Sequence, residues 1–215
     1  GLASLKLDKE TFDCADVGTH IVTLIAEDNA GNSSQCSATV TVQDVVAPLP
    51  ECQDVVLQLD ENGAAELTAN QVDAGSTDAC GISSLSLSDA VFGCGEVGAQ
   101  LVILTVTDSS GNSSECISTI TVEDNVPPVA LCQDITVQLD ALGGASLTAA
   151  AVDGGSGDAC GIESLALDVS SFDCGDIGEQ PVALSVEDEH GNTSSCTATV
   201  TVEDNIDPTA ICQDI

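Results

Sequence analysis

Apolar and polar side chains alternate along two neighbouring segments of the chain. In residues 101–107, Val102, Leu104 and Val106 form one apolar row. A period of two places successive side chains on opposite faces of a strand, so these three residues are predicted to face a core. The equivalent residues 80 positions earlier and later are also apolar, which indicates a half-buried strand in each place.

A second alternating segment follows the turn sequence DSSGN. Its Cys116, Ser118, Ile120 and Val122 are predicted to point inward, whereas Thr119 and Thr121 point outward. Asp, Gly and Asn suit tight turns, so the two segments are predicted to form a β-hairpin. Further strands are predicted at 53–59, 64–69 and 82–88. Six or seven short strands per repeat, without helical periodicity, predict an all-β sandwich.

The cysteines show that the chain is internally repetitive, with a period of 80 residues. The period predicts the C-terminal part of a repeat at 1–47 (copy one), complete repeats at 48–127 (copy two) and 128–207 (copy three), and the start of another at 208–215. Short Pro-containing linkers between copies favour an extended rod. The recurring cysteines are Cys52, Cys80, Cys94 and Cys116, which return as Cys132, Cys160, Cys174 and Cys196, with Cys14, Cys36 and Cys212 on the same grid.

Three phenylalanines, Phe12, Phe92 and Phe172, are the only aromatic residues and share one position in the repeat. They are predicted to fill the core. The alternative, a platform on which sugars stack, needs exposed rings and usually Trp or Tyr, neither of which occurs here.

The charge balance limits the partners of this chain. The formal net charge is −34, with 36 acidic residues against two lysines. Binding to phosphates of nucleic acid or to anionic lipid needs Lys and Arg, so neither partner is expected. A hydrophobic content of 43% in regular β patterns argues against disorder, and no stretch approaches the length of a transmembrane span. The density of cysteines favours a secreted protein that forms disulfides, because cytosolic thiols stay reduced.

Several motifs together resemble the hyalin-repeat type of immunoglobulin-like module. They are CQDVVLQL and CQDITVQL, DACGI, FGCGEVG and FDCGDIG, and the hairpin motif from DSSGN to the following TV. The resemblance covers the whole chain and is closest to versions found in long secreted surface proteins of Bacteroidota. It implies tandem immunoglobulin-like β-sandwiches, an extracellular location and an adhesive or structural role, and the cysteines of DACG and FxCG depart from its commoner pattern. It does not imply a catalytic site.

Two disulfides are predicted between cysteines that lie close in sequence. Cys80 is expected to bond to Cys94, and Cys160 to Cys174, because each pair brackets one strand and its return. Cys14 is then expected to lack its partner, since the counterpart of Cys80 in copy one would precede Gly1. Four cysteines allow three pairings within a repeat, and the sequence does not choose among them.

The other two cysteines of each repeat have two possible arrangements. Cys52 can bond to Cys116 within a copy, with Cys132 and Cys196 as the equivalent pair, or Cys116 can bond to Cys132 across two copies. The bond within a copy is favoured because it keeps each module independent. Strand alternation places Cys52 out of phase with the core residues that follow it, so this bond requires a bend near Cys52.

Acidic residues in the linkers are candidate calcium ligands. Glu123, Asp124 and Asn125 precede Asp134 of the next copy, and Asp204 lies in the following linker. Such oxygen clusters resemble the calcium-binding linkers of cadherin-like arrays, where a hard cation takes six to eight oxygens. The first linker retains only one acidic residue, which weakens this hypothesis.

A second set of candidate calcium ligands lies in the loops DAGSTDAC and DGGSGDAC. Asp73 and Asp78 belong to the first loop, and Asp153 and Asp158 to the second. Glycines let these loops curl and direct carboxylates toward one point. The alternative is that the acids are solvated side chains that shape the loops. No cofactor other than calcium is expected.

The hairpin turns carry sequons for N-glycosylation at Asn32, Asn112 and Asn192. The turn itself needs Gly-Asn, so a structural role is favoured. Neither His20 nor His190 recurs in the other copies, so the chain is not expected to be an enzyme.

The sequence therefore predicts a structural extracellular repeat protein that forms a stalk, fibre or adhesin shaft. The alternative is an adhesive module that binds ligands or glycans, or an accessory array of a secreted enzyme. The expected partners are other copies of the same chain or surface glycans and proteins. No nucleic-acid binding and no membrane insertion are expected.

Overall fold

The structure, a computed structural model, describes residues 1–212 and consists mainly of β-strands. The predicted all-β fold is confirmed. The strands are β1 Leu2–Leu7, β2 Gly18–Asp28, β3 Ser33–Val42, β4 Val55–Gln58, β5 Ala64–Glu66, β6 Ile82–Leu87, β7 Val91–Gly93, β8 Gly98–Asp108, β9 Ser113–Glu123, β10 Ile135–Gln138, β11 Gly144–Ser146, β12 Ile162–Leu167, β13 Ser171–Asp173, β14 Gly178–Asp188 and β15 Thr193–Glu203. The helices are α1 Ala69–Val72 and α2 Ala149–Val152, with 3-10 turns at Cys14–Asp16, Cys94–Glu96 and Cys174–Asp176.

The chain divides into two compact units. The first comprises Gly1–Val56, Glu66–Ala90 and Ala99–Thr121, and the second comprises Leu57–Ala65, Val91–Gly98 and the chain from Val122 onward. Of the predicted segment 208–215, residues 213–215 lie outside the described residues. Among residues 1–212, no helix has the length and apolar character needed to cross a membrane.

Copy three lies wholly in the second unit and shows how one repeat is built. Its main sheet has the strand order β10-β15-β14-β12, and β11 and β13 form a separate two-stranded sheet. The hairpin β14–β15 is antiparallel from Gly178 opposite Val202 to Glu187 opposite Thr193. Strand β10 runs parallel to β15, so the first and last strands of the copy lie side by side.

The core of copy three joins side chains from both of its sheets. Val182, Leu184 and Val186 on β14 are fully buried and pack with Phe172 of β13 and Leu147, which follows β11. The alternation predicted for this strand is therefore confirmed, because every second side chain enters the core. Copy two has the same strand order, β4-β9-β8-β6 with a pair β5–β7. Most of its predicted inward residues are also buried, namely Val102, Leu104, Val106, Ser118, Ile120 and Val122, whereas Cys116 is half-buried.

The phenylalanines differ between copies. Phe92 and Phe172 are buried, as predicted, whereas Phe12 is half-buried. Copy one contributes only the sheet β1-β2-β3, so fewer strands surround the ring of Phe12 than surround its two equivalents.

The strand predicted at 64–69 ends early. Strand β5 stops at Glu66, and the one-turn helix α1 begins at Ala69. Thr68 precedes this helix, and its backbone N–H donates to Oε1 of Gln71 at 2.8 Å. This local bond satisfies the first turn and favours a helical turn over a longer strand.

Candidate functional site

Two disulfides connect one copy to the next. In the second unit, Cys94 bonds to Cys160 with a Cα–Cα distance of 5.2 Å, and in the first unit Cys14 bonds to Cys80 at 5.1 Å. Cys14 and Cys94 each begin a 3-10 turn, and Cys80 and Cys160 each end the loop that carries the sequence DAC. The 3-10 turn of each copy is therefore attached to the DAC loop of the following copy.

The predicted pairs Cys80–Cys94 and Cys160–Cys174 are wrong, and the topology explains why. Cys160 precedes β12, whose Ile162 lies opposite Asp188 at the end of β14. Cys174 precedes the start of the same strand, β14. These 11 residues of β14 separate the two cysteines by about 35 Å, whereas a disulfide needs its Cα atoms within about 7 Å.

The remaining bonded cysteines pair within a copy. Cys52 bonds to Cys116 with a Cα–Cα distance of 6.0 Å, and Cys132 bonds to Cys196 at 5.8 Å. The parallel arrangement of the first and last strands of copy three brings the second pair together. Cys132 lies before β10 begins and forms an isolated bridge with Asp153, so the cysteine stands outside the regular alternation of the strand.

Three exposed cysteines have no disulfide partner within residues 1–212, namely Cys36, Cys174 and Cys212. Cys174 was predicted to be bonded and is free. Conversely, Cys14 was predicted to lack a partner and is bonded to Cys80. Cys174 occupies the position of Cys94, whose partner lies 66 residues further along the sequence.

A glycine lies directly against the disulfide that joins copies two and three. Gly63 has a φ of +71°, and a Cβ on it would lie 2.6 Å from Sγ of Cys94 and 3.3 Å from Sγ of Cys160. Only glycine fits such a close approach without displacing the bond. The recurrence of this glycine as Gly143, 80 residues later, was the signal in the sequence that could have identified it.

In the second unit, the linker after β9 is hydrogen-bonded to the β14–β15 turn. The side-chain amide of Asn192 donates to the carbonyl oxygen of Asp124 at 3.1 Å. Nδ1 of His190 lies 3.0 Å from Oδ2 of Asp124. The Asp124 carboxyl also accepts the N–H of Val126 at 3.1 Å and is buried. The linker therefore adopts a defined conformation on the copy that follows it.

The first unit repeats this arrangement at the preceding linker. The side-chain amide of Asn112 donates to the carbonyl oxygens of Asp44 at 3.2 Å and Val46 at 3.3 Å. The hydroxyl of Ser110 donates to the Asp44 carboxylate at 3.2 Å. Two linkers of different sequence, VQDVVAP and VEDNVPP, thus bind the following turn through the same asparagine position.

These asparagines are the sequon residues, and their amides are engaged. Asn112 and Asn192 also donate to the carboxylates of Asp108 and Asp188 at 2.7 and 2.9 Å. A glycan on either amide nitrogen would displace these hydrogen bonds. The contacts favour the structural role that the turn sequence predicted.

Each of these turns is built around a buried aspartate that the sequence analysis did not select as a candidate ligand. Asp188 accepts the backbone N–H groups of His190 and Asn192 and is 1% exposed. Burial raises the pKa of Asp188, but hydrogen bonds from the side chain and backbone of Asn192 outweigh it and hold the pKa below its ordinary value. The recurrence of this aspartate at all three hairpin turns was the available signal.

Three carboxylates meet at the linker in the second unit. Ligand oxygens of Asp124, Asp158 and Asp188 lie within 4.8 Å of one another, and Asp124 and Asp188 are buried. In the first unit, Asp44 and Asp78 approach each other to the same extent, together with the sulfur of Cys80. Asp124, Asp158 and Asp78 are therefore predicted ligands that fall in clusters, whereas Asp44 and Asp188 were not predicted. Converging carboxylate oxygens are the donors that Ca²⁺ prefers.

The other predicted ligands have local partners. Asp73 accepts the N–H of Ser76 at 2.9 Å, and Asp153 accepts that of Ser156 at 2.8 Å, so both shape their own loops. The serine side chain and backbone hold the pKa of Asp153 below its ordinary value.

The remaining linker candidates are also hydrogen-bonded. Glu123 and Asn125 form a network with Gln58, in which Gln58 donates to Glu123 and Asn125 donates to Gln58, each at 2.7 Å. Asp134 accepts the N–H of Thr199, and Asp204 that of Ile206. Among the described residues, none of these carboxylates joins the three-carboxylate cluster.

The chain is similar in sequence to one curated protein and in chain trace to several solved structures. No family model matches. The chain is 30% identical to hyalin of Strongylocentrotus purpuratus over 210 residues, and the aligned region covers 93% of this chain and 18% of hyalin. This similarity supports a hyalin-repeat-like relationship over a small part of that protein's length.

The solved structures include human CDH23 EC21-23 and protocadherin gamma B2 extracellular cadherin domains 3-6. The first is 17% identical with a TM-score of 0.41 and covers 86% of this chain and 74% of that one. The second is 16% identical with a TM-score of 0.37 and covers 91% of this chain and 63% of that one. Likeness at this level carries no argument about function.

Proposed function

We propose that this chain is part of an extracellular structural array that forms a stalk, fibre or adhesin shaft. The observation that carries the proposal is that Cys14–Cys80 and Cys94–Cys160 each join one copy to the next. A bond in this position acts between two modules and not within one. It fixes the attachment between successive modules, which is the property that a load-bearing or spacing element requires.

The linkers support the same function. Asn112 and Asn192 each hold the preceding linker by hydrogen bonds to its backbone. A linker with both covalent and hydrogen-bonded attachment has fewer conformations than a flexible connection. An extended arrangement of copies 48–127 and 128–207, each with six strands, belongs to this proposal.

An extracellular location is part of the proposal. Four disulfides occur within residues 1–212, and bonds of this number persist in oxidising compartments. The similarity to hyalin agrees with such a location, and the motifs of the repeat favour an origin in a long bacterial surface protein. Other copies of the chain are the partners we propose for lateral or end-to-end assembly.

Small-angle X-ray scattering tests the role of the attachment between copies. The oxidised protein is expected to fit one conformation, whereas the double variant Cys94→Ser with Cys160→Ser is expected to require an ensemble of wider dimensions. Cys174→Ser is the matched control, since Cys174 begins the equivalent 3-10 turn of copy three and has no disulfide partner in the described residues. Identical scattering from all three proteins would contradict the proposal. Specific binding of an isolated repeat in a glycan-array screen would favour the adhesive alternative instead.

Calcium is the proposed cofactor of the array. The cluster of Asp124, Asp158 and Asp188 offers three converging carboxylates, two of them buried. A cation there would neutralise part of the net charge of −34 and tie the linker to the turn.

Thermal unfolding with and without a chelator tests this site. Calcium at about 100 times its Kd is expected to stabilise the protein by about 2.7 kcal/mol. Asp158→Asn is expected to lose this stabilisation, whereas Asp134→Asn, outside the cluster, is expected to keep it. A transition that chelator leaves unchanged in the unsubstituted protein would remove calcium from the proposal.

A further inference from the structure

Successive disulfide loops overlap along the sequence. Each bond spans 64 or 66 residues, which is more than half of the 80-residue period, so each loop begins before the preceding one closes. Every peptide bond from Cys14 to Cys196 therefore lies inside at least one closed loop. The loops run from Cys14 to Cys80, from Cys52 to Cys116, from Cys94 to Cys160 and from Cys132 to Cys196.

We propose that these bonds connect the copies by two parallel covalent tracks, which together limit how far the array extends when its modules unfold. Track one consists of the two disulfides between copies, Cys14–Cys80 and Cys94–Cys160, which are joined in series by the backbone segments 80–94 and 160–174. Track two consists of the two disulfides within copies, Cys52–Cys116 and Cys132–Cys196, which are joined in series by the backbone segments 36–52, 116–132 and 196–212. The other segments, such as 52–80 and 94–116, run between the two tracks.

The tracks set a short maximum length for each copy. Track one contains about 14 backbone residues per copy, which reach about 48 Å when fully extended, to which the disulfide adds its Cα–Cα distance of 5.2 Å. An 80-residue copy without disulfides reaches about 270 Å. Complete loss of the fold therefore lengthens an oxidised copy to no more than about 53 Å, a fifth of the unrestrained value.

The bonds between copies are what create the second connection. If cysteines paired only within copies, the linker from Cys116 to Cys132 would be the single covalent link between modules. The bond from Cys94 to Cys160 spans this linker, so the copies stay joined even if the linker is cleaved. This deepens the proposed structural function and rests on that function for its biological meaning, whereas the covalent topology is independent of it.

Force spectroscopy on the full chain, held at Gly1 and Ile215, tests the tracks. The shortest covalent route between the ends contains about 74 backbone residues and three disulfides, so the oxidised protein is expected to extend to about 270 Å. With reductant, the same chain is expected to extend to about 730 Å. Alkylation of the free thiols beforehand prevents disulfide exchange during the measurement.

A variant that keeps only track one discriminates between the possible pairings. It is expected to extend to about 290 Å if Cys14–Cys80 and Cys94–Cys160 form. Pairing of Cys80 with Cys94 and of Cys160 with Cys174 would instead give about 640 Å, and that result would overturn the proposal. The variant replaces Cys52, Cys116, Cys132 and Cys196 with serine.

Peptide mapping of the unsubstituted protein keeps the proposal testable if this variant does not fold. A protease that cuts before Asp89 separates Cys80 from Cys94, and cutting before Asp168 separates Cys160 from Cys174. A disulfide-linked peptide containing Cys94 and Cys160 is expected, and one containing Cys80 and Cys94 would refute track one. Neither result depends on the scattering test, so failure of the tracks and failure of the stiff attachment are distinguishable.

Discussion

Removing one disulfide between copies should destabilise the second unit by a predictable amount. The double variant Cys94→Ser with Cys160→Ser opens a loop of 66 residues. The chain-entropy model gives about 4 kcal/mol for a loop of this length, and measured losses for native disulfides are typically about 2–4 kcal/mol. No other disulfide gives a shorter covalent route between Cys94 and Cys160, so the full separation of 66 residues enters the calculation.

The assay is guanidinium unfolding followed by circular dichroism without reductant. For a denaturant slope of about 3 kcal/mol per molar, a loss of about 3 kcal/mol lowers the midpoint by about 1 M. Cys174→Ser is the matched control, because Cys174 starts the equivalent 3-10 turn and is unbonded in the described residues. A midpoint within about 0.2 M of this control would refute the reasoning, since it would show that the bond restrains nothing in the unfolded chain.

Three further predictions concern the glycines beside Cys94 and Cys174, the buried Asp188 and the free thiols. Gly63→Ala should lower the unfolding midpoint more than Gly143→Ala, although both glycines have a positive φ. The new Cβ at residue 63 meets the disulfide-bonded sulfur of Cys94, whereas the one at residue 143 meets the free thiol of Cys174. Equal losses would contradict this reasoning. Asp188→Asn should cost about 1–3 kcal/mol by weakening the buried hydrogen bonds of its turn, as measured by the same assay. Because the pKa of Asp188 is lowered in the folded protein, its contribution to the free energy of unfolding should be present above the unfolded pKa of about 3.9 and be lost as the pH falls below that value. The difference in Tm between the unsubstituted protein and Asp188→Asn should therefore shrink at low pH. A thiol titration should find about three reactive thiols without reductant and about 11 after reduction and unfolding, and an increase of any number other than about eight would be inconsistent with four disulfides.

The strands could be predicted from sequence because their signal is local. Val182, Leu184 and Val186 alternate with polar or small residues, and this period is enough to place them in the core. The hairpin turn is local too, since Gly-Asn specifies its backbone. The buried Asp188 was harder to identify, because an acidic residue in a turn is usually solvated, and only the fold shows that a linker covers it.

Disulfide pairing could not be predicted because the repeat makes it ambiguous. For each cysteine, a partner in its own copy and the equivalent partner in the next copy differ by one period of 80 residues. The pair Cys80–Cys94 is therefore equivalent, in sequence position, to Cys94–Cys160, and Cys116–Cys132 to Cys52–Cys116. Sequence similarity between copies cannot separate these choices. Topology does so, because strands β12 and β14 carry Cys160 and Cys174 to opposite ends of the sheet.

The two kinds of disulfide have different mechanical consequences, and the array needs both. The bond from Cys52 to Cys116 shortens the route through a copy but leaves the next linker as the only connection. The bond from Cys94 to Cys160 passes around that linker and provides a second covalent route from copy two to copy three. Together they form two covalent routes along the array, so that cleavage of a linker does not separate the copies it joins. The hydrogen bonds of Asn112 and Asn192 then need only to fix the conformation of each linker, because the covalent tracks limit its extension.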